Sequence, residues 1–132
     1  MRTLPAIAAF AAFAALSFQA AAAPRYDGIV LSDLKGGARK DTFTPTTPKV
    51  YMNAKLVDVK SGSILKSEWI AEKTKVAPPN YKIDSAEVKV GPLMNNVDFN
   101  MTKPNAGWPV GDYRVDLFID GKPAGKVKFQ VK

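Results

Sequence analysis

The sequence predicts an all-β domain built as a two-sheet sandwich of about seven short antiparallel strands. Three observations carry this. The last 25 residues, Trp108 to Lys132, place apolar side chains at Tyr113, Val115, Leu117 and Ile119, and again at Val127, Phe129 and Val131, with Asp120-Gly121 between the runs. Two alternating runs around Asp-Gly are a strong short-range hairpin signal. Five further alternating segments precede this hairpin at a spacing of 8–16 residues, separated by Gly, Pro, Ser and Asn clusters. No segment sustains helical periodicity, and no internal repeat recurs.

Residues 1–22 are set apart before the elements begin. Met1-Arg2 is followed by an almost wholly apolar run from Leu4 to Phe18 and by Ala20-Ala21-Ala22, the layout of a secretory signal peptide. Cleavage after Ala22 is expected, because cleavage after Ala23 would leave Pro24 first. The apolar run is shorter than the roughly 20 residues needed to span a bilayer, so no membrane span is expected after cleavage.

Ile29 to Leu34 reads as a first, edge strand, closed by Lys35-Gly36-Gly37. Thr42 to Pro48 holds two prolines and is expected to be edge or irregular backbone. Lys49 to Val59 is a strand with Val50, Met52, Ala54 and Leu56 on one face; Val57 and Val59 fall on the other, which predicts a bulge near Leu56-Val57. Lys60 to Ser63 is a turn. Ile64 to Glu72 is a strand with Leu65, Trp69 and Ala71 inward, and Thr74 to Tyr81, with Pro78-Pro79, is a loop. Lys82 to Val90 alternates with Ala86, Val88 and Val90 inward, and Gly91-Pro92 ends it. Val97, Phe99 and Met101 mark a strand closed by Lys103-Pro104-Asn105, and the final hairpin follows.

Residues 23–132 suffice for one domain with one core. The whole chain has a net charge of +7, and the loss of Arg2 with the leader leaves a clearly basic domain. It contains no Cys and no His. The first means a core-held rather than disulfide-held domain. The second removes the usual general base, metal ligand and pH switch.

Trp69 in a core strand, Gly111-x-Tyr113-x-Val115 opening a later one and Asp120-Gly121 before the last resemble the immunoglobulin-like layout. Gly111-x-Tyr113 sits where such domains carry a tyrosine corner. More narrowly, Gly107-Trp108-Pro109-x-Gly111-x-Tyr113 with the following hairpin, together with Phe43-Thr44-Pro45 and Tyr51, resembles bacterial exported immunoglobulin-like domains. The resemblance implies an immunoglobulin-like β-sandwich in the periplasm or secreted, in a family of mostly accessory modules. A more distant likeness is to periplasmic copper-resistance sandwich proteins, whose ligands include His at the N-terminus and after the Asp-Gly. Here Lys122 follows Asp120-Gly121 and no His exists, so no metal or cofactor is expected. Met52 and Met101 fall on core faces and are read as gap-fillers.

Catalytic arrangements are not found. Asp112, Asp116 and Asp120 share one strand face, but positions four apart lie roughly 13 Å apart, beyond the about 5–9.5 Å of glycosidase pairs. If Leu117 opposes Val127, then Asp116 faces Lys128 and Asp112 faces Lys132, which is a structural pairing. Ser67 and its neighbour Lys66 point to opposite faces. The chain is therefore read as non-enzymatic.

Basic groups at Lys35, Arg39 and Lys40 in one loop, and at Lys126 and Lys128 on the hairpin, are candidates for contact with an anionic envelope polymer; the other reading is a solvated face. Nucleic acid is not expected, since no aromatic-lysine interleaving offers stacking. Trp108 and Phe118 find no place inside this pattern. Either Trp108 caps the open end and Phe118 lies under the Lys126 stem, or both contact a partner. The expectation is an exported, monomeric accessory or interaction module. The alternative is a polyanion- or envelope-surface-binding protein using the basic hairpin and loop. A third class, working by strand addition, requires that Ile29 to Leu34 leave its sheet edge open.

Overall fold

The computed structural model of this chain describes residues 23–132; the expected leader at residues 1–22 lies outside the described residues. Alternating apolar positions bury one side of each ribbon, and eight strands result: β1 (Arg25–Ser32), β2 (Thr42–Phe43), β3 (Lys49–Val57), β4 (Ile64–Thr74), β5 (Tyr81–Lys89), β6 (Asn96–Thr102), β7 (Gly111–Ile119) and β8 (Lys122–Val131). They form two sheets, a three-stranded one ordered β1-β3-β6 and a five-stranded one ordered β2-β8-β7-β4-β5. All eight strands and one contiguous core are found among the described residues.

The expected inward faces of β3, β4, β6 and β7 are buried: Val50, Met52 and Ala54; Leu65, Trp69 and Ala71; Val97, Phe99 and Met101; Tyr113, Val115, Leu117 and Ile119. Phe129 of β8 is the hub of the aromatic core. Its ring stacks on Tyr113 at 5.0 Å and meets Phe43, Trp69 and Trp108 edge-on at 5.6–6.2 Å. Aromatic pairs in these geometries add to what area burial alone contributes.

The structure corrects the expectation in five places. The strands number eight, because Phe43 drops into the core and its two-residue strand pairs parallel with β8; that makes the five-stranded sheet mixed. β1 begins at Arg25, and the bulge is on it, between Asp27 and Val30, while β3 pairs with β6 without interruption from Lys49 to Lys55. Gly28, at φ 56°, supplies the left-handed residue the kink needs. On β5, Ala86 is exposed and Val88 only partly buried, since this strand is the outer edge of a five-stranded sheet facing a three-stranded one. Its Lys82, Asp84, Glu87 and Lys89 are the charges that blunt an edge against further pairing. The hairpin pairs Val115 with Val127 and Asp116 with Lys126, two residues away from the expected register, and Asp112 faces Gln130 rather than Lys132. Its loop is only Asp120-Gly121, both at positive φ, and Ala124 bulges where Leu117 faces Gly125 and Phe118 faces Pro123. Lastly, Trp108 lies inside, as described below.

Val30 to Ser32 pair with β3, and β1 is the edge strand of the three-stranded sheet. One end of the sandwich gathers the loops after β1, β2, β4 and β6; the other gathers those after β3, β5 and β7.

Candidate functional site

Two surfaces hold the residues singled out from the sequence, and they differ in charge order. The outer face of the five-stranded sheet is a lattice of paired charges. Arg114 of β7 donates from Nε to both oxygens of Asp116 (3.0 and 3.1 Å) and from its Nη1 to Glu72 (3.2 Å) and to the Asn80 side-chain oxygen (2.7 Å). These acceptors keep the guanidinium pKa above its usual value although burial works against it. Glu68 takes Lys66 at 3.1 Å and Lys82 at 3.5 Å. Burial would raise its carboxyl, but the Lys66 hydrogen bond and charge, helped by Lys82, hold it below the usual carboxylate value.

Lys128 is 3.8 Å from Glu72, and Lys126 stands opposite Asp116. Of the two hairpin lysines, both exposed, Lys128 has a carboxylate partner and Lys126 takes part in no ion pair among the described residues. Phe118, partly buried, has Lys66 rather than Lys126 over its ring, with the ammonium 5.0 Å from the centroid, and its carbonyl accepts from Tyr26 at 2.7 Å. Asp112 is bonded by Gln130 and Asp120 accepts the Ile64 amide, so the three aligned carboxylates have structural partners. Ser67 is fully buried with no partner for its hydroxyl, sealed from solvent and from Lys66. Among the described residues no group of three or more potential metal ligands comes together.

The loop end is different. Trp108, which alternation alone did not place, is 2% exposed at the open end of the core, and its Nε1 donates to the Thr47 carbonyl at 2.8 Å while its amide donates to the Pro45 carbonyl at 3.0 Å. Gly107, at φ 88°, brings the backbone so close that a Cβ would stand 3.0 Å from the Pro45 oxygen. The loop after β6 is thereby tied to the loop after β2. The Tyr113 hydroxyl donates back to the Pro109 carbonyl, completing the tyrosine corner. Burial pushes its pKa up to about 12.

Trp108 and Tyr113 together floor an apolar cleft of about 390 Å³ walled by Val76, Pro78 and Tyr81 on one side and Pro104 and Pro109 on the other. Volumes of this order suit small-ligand or side-chain recognition. Lys35 and Arg39 are exposed at the same end, and Lys40 pairs with Asp33 at 3.1 Å over the Phe43 ring. The structure thus separates the two basic groups: Lys35, Arg39 and Lys40 join the cleft end, and Lys126 and Lys128 do not. Sequence reasoning read Thr74 to Tyr81 only as a loop. The missed signal is that Val76 and Tyr81 are large apolar side chains, among lysines, in a stretch no strand could bury.

No family model matches this chain, and no curated protein matches it. Solved structures do. An immunoglobulin-like protein from Pseudomonas aeruginosa superimposes with a TM-score of 0.60 at 19% identity, over 86% of this chain and 99% of that one. The fold is an immunoglobulin-like β-sandwich. An alkylpurine DNA glycosylase from Pseudomonas fluorescens, solved with DNA containing an abasic-site analogue, matches at TM-score 0.51 and 8% identity. A β-glucosidase from Listeria innocua matches at TM-score 0.50 and 9% identity. The chain covers 83% of itself in both, but spans only 30% and 16% of those enzymes. At these identities the likenesses concern fold alone.

Proposed function

We propose that this chain is a non-enzymatic binding module, exported to the bacterial envelope, that works through its loop end. The observation that carries the reading is the apolar cleft floored by Trp108 and Tyr113. Its floor is fixed by three hydrogen bonds, from the Trp108 indole and amide and from the Tyr113 hydroxyl, so an incoming group meets a surface already ordered. The burial of Ser67 and the engagement of Asp112, Asp116 and Asp120 support a binding rather than a chemical role. The signal-like leader and the resemblance to exported domains support the location. Envelope-surface binding, the second reading, is favoured by the exposed Lys35 and Arg39 beside the cleft. Its hairpin half has less support, because Lys128 is paired with Glu72 and Lys126 stands across from Asp116.

A photo-cross-linking amino acid at Val76 should trap a specific adduct in expressing cells, and the same group at the exposed Ala86 of β5 should not. Adducts from Ala86 with none from Val76 would move the site to the sheet edge and remove the loop-end reading.

A further inference from the structure

The chain's charge is not spread evenly. Segments 33–48, 73–82 and 103–110, which build the loop end, carry seven basic and two acidic side chains, and the strand tips beside them add Lys49, Lys132, Glu72 and Asp112. The rest of residues 23–132 carries eleven basic and ten acidic. Among the described residues Lys35, Arg39, Lys73, Lys75 and Lys103 take part in no ion pair, as is also true of most lysines elsewhere, and Lys73 stands across from Asp112, so the contrast between the ends is one of net charge. The same end holds four of the five exposed large apolar side chains: Leu34 (67% exposed), Val76 (74%), Tyr81 (51%) and Val110 (59%). Three of them are sequence neighbours of a lysine: Leu34 of Lys35, Val76 of Lys75 and Tyr81 of Lys82.

We infer that this end is a docking surface for an anionic lipid leaflet, an inference that rests on the loop end being the binding site. Each alternative partner explains only part of the pattern. An anionic polymer accounts for the lysines and leaves four apolar tips in water without a purpose. A protein partner accounts for the tips, but protein interfaces are enriched in Arg and depleted in Lys, and six of the seven basic side chains here are Lys. A leaflet uses both at once. Apolar tips enter the boundary between headgroups and acyl chains, and long lysines reach the headgroups from the same loops. Anionic headgroups attract basic residues near the surface, and each such residue contributes roughly a fivefold gain in partition. The cleft opens between two of these loops and presents apolar walls toward the leaflet.

The test uses the purified chain as cells export it and sedimentation with vesicles of phosphatidylcholine alone or with about a third phosphatidylglycerol. Binding to the mixed vesicles and not to the neutral ones is expected. Lys35→Ala, Lys75→Ala and Lys103→Ala should each weaken partition roughly fivefold. Val76→Trp should show blue-shifted emission on the mixed vesicles, over the constant signal of the two buried tryptophans. Leu93→Trp, at the opposite end where Leu93 is 100% exposed, should not. Equal shifts from both positions, no binding to mixed vesicles, or binding that ignores lipid charge would each overturn the inference. Melting curves taken alongside separate loss of binding from loss of fold. A protein or glycan adduct from Val76 with no vesicle binding would sink the lipid partner while leaving the loop-end site in place.

Discussion

Trp108 shows how a single residue's surroundings decide its role. Its ring fills the open end of the core against Tyr113 and Phe129, and its indole N–H satisfies a loop carbonyl. Trp108→Ala should cost roughly 3–5 kcal/mol of stability, as should Trp69→Ala. Trp108→Phe keeps most of the packing and loses the bond to Thr47, so about 1–2 kcal/mol is expected; urea denaturation of the three variants reads these values directly. Ser67 is the opposite case. Its buried hydroxyl has no partner, so Ser67→Ala should leave stability unchanged or raise it by up to about 1 kcal/mol; a clear loss would reveal an acceptor inside the core. Tyr26 and Tyr113 carry a pH signature. Burial pushes both from 10.0 up to about 12. Between those values the unfolded chain ionises its tyrosines while the folded chain keeps them protonated. Their contribution is therefore complete below pH 10 and falls as pH rises, by roughly 1.4 kcal/mol per unit for each tyrosine. Denaturation midpoints measured from pH 9 to 11.5 should fall steeply only above 10, and Tyr113→Phe should flatten part of that fall.

At the scale of elements, the faces of the strands were legible because a half-buried ribbon must alternate, and β3, β4, β6 and β7 each bury the predicted side. Register was not, because it is set by residues without a hydrophobic signal. Asp120-Gly121 takes a two-residue turn with both φ positive, and Ala124 then absorbs the odd residue between Gly125 and Pro123. Asp120 also accepts the Ile64 amide at 2.8 Å, locking the hairpin tip to β4. Asp120→Ala should lose that bond and meet the left-handed backbone penalty, about 1–3 kcal/mol in all, and thermal melting checks it. Gly111 is less replaceable, since a Cβ there would meet the Lys73 carbonyl oxygen. β2 was illegible for a simpler reason: two residues carry no period. The walls of the cleft were illegible too, because loops are placed by what they tie to. Arg114, on a strand, reaches the Asn80 side chain at 2.7 Å and so holds the loop after β4 against the sheet. Arg114→Ala should speed amide hydrogen exchange over residues 75–80 more than in β7 itself; equal protection in that loop would show that its prolines hold it unaided.

Over the whole molecule, the sequence carried the net charge but not its polarity. Lysines close in sequence part company once β8 is laid against β7, and lysines from three separate segments meet at one end. Lys126 and Lys128 stood beside Lys35, Arg39 and Lys40 as a candidate basic group along the chain, yet the fold sets Lys128 3.8 Å from Glu72 and Lys126 across from Asp116. A carboxylate at that range cancels most of a lysine's distant field, whereas Lys35, Arg39 and Lys75 have no such neighbour. The two groups should therefore separate on a sulfated-polymer column. Replacing Lys126 and Lys128 by Ala should lower the eluting salt concentration only slightly, and it should slightly lower stability by removing the Lys128–Glu72 pair, while Arg114 keeps Glu72 and Asp116 bonded. Replacing Lys35, Arg39 and Lys75 should lower it clearly with no change in melting temperature. Retention of the parent chain should vanish by 0.5–1 M salt, where screening acts within roughly 3–4 Å. If the hairpin pair dominated retention instead, the ion pairs on the outer sheet face would have to be open in solution, and the charge polarity drawn from the fold would not describe the molecule.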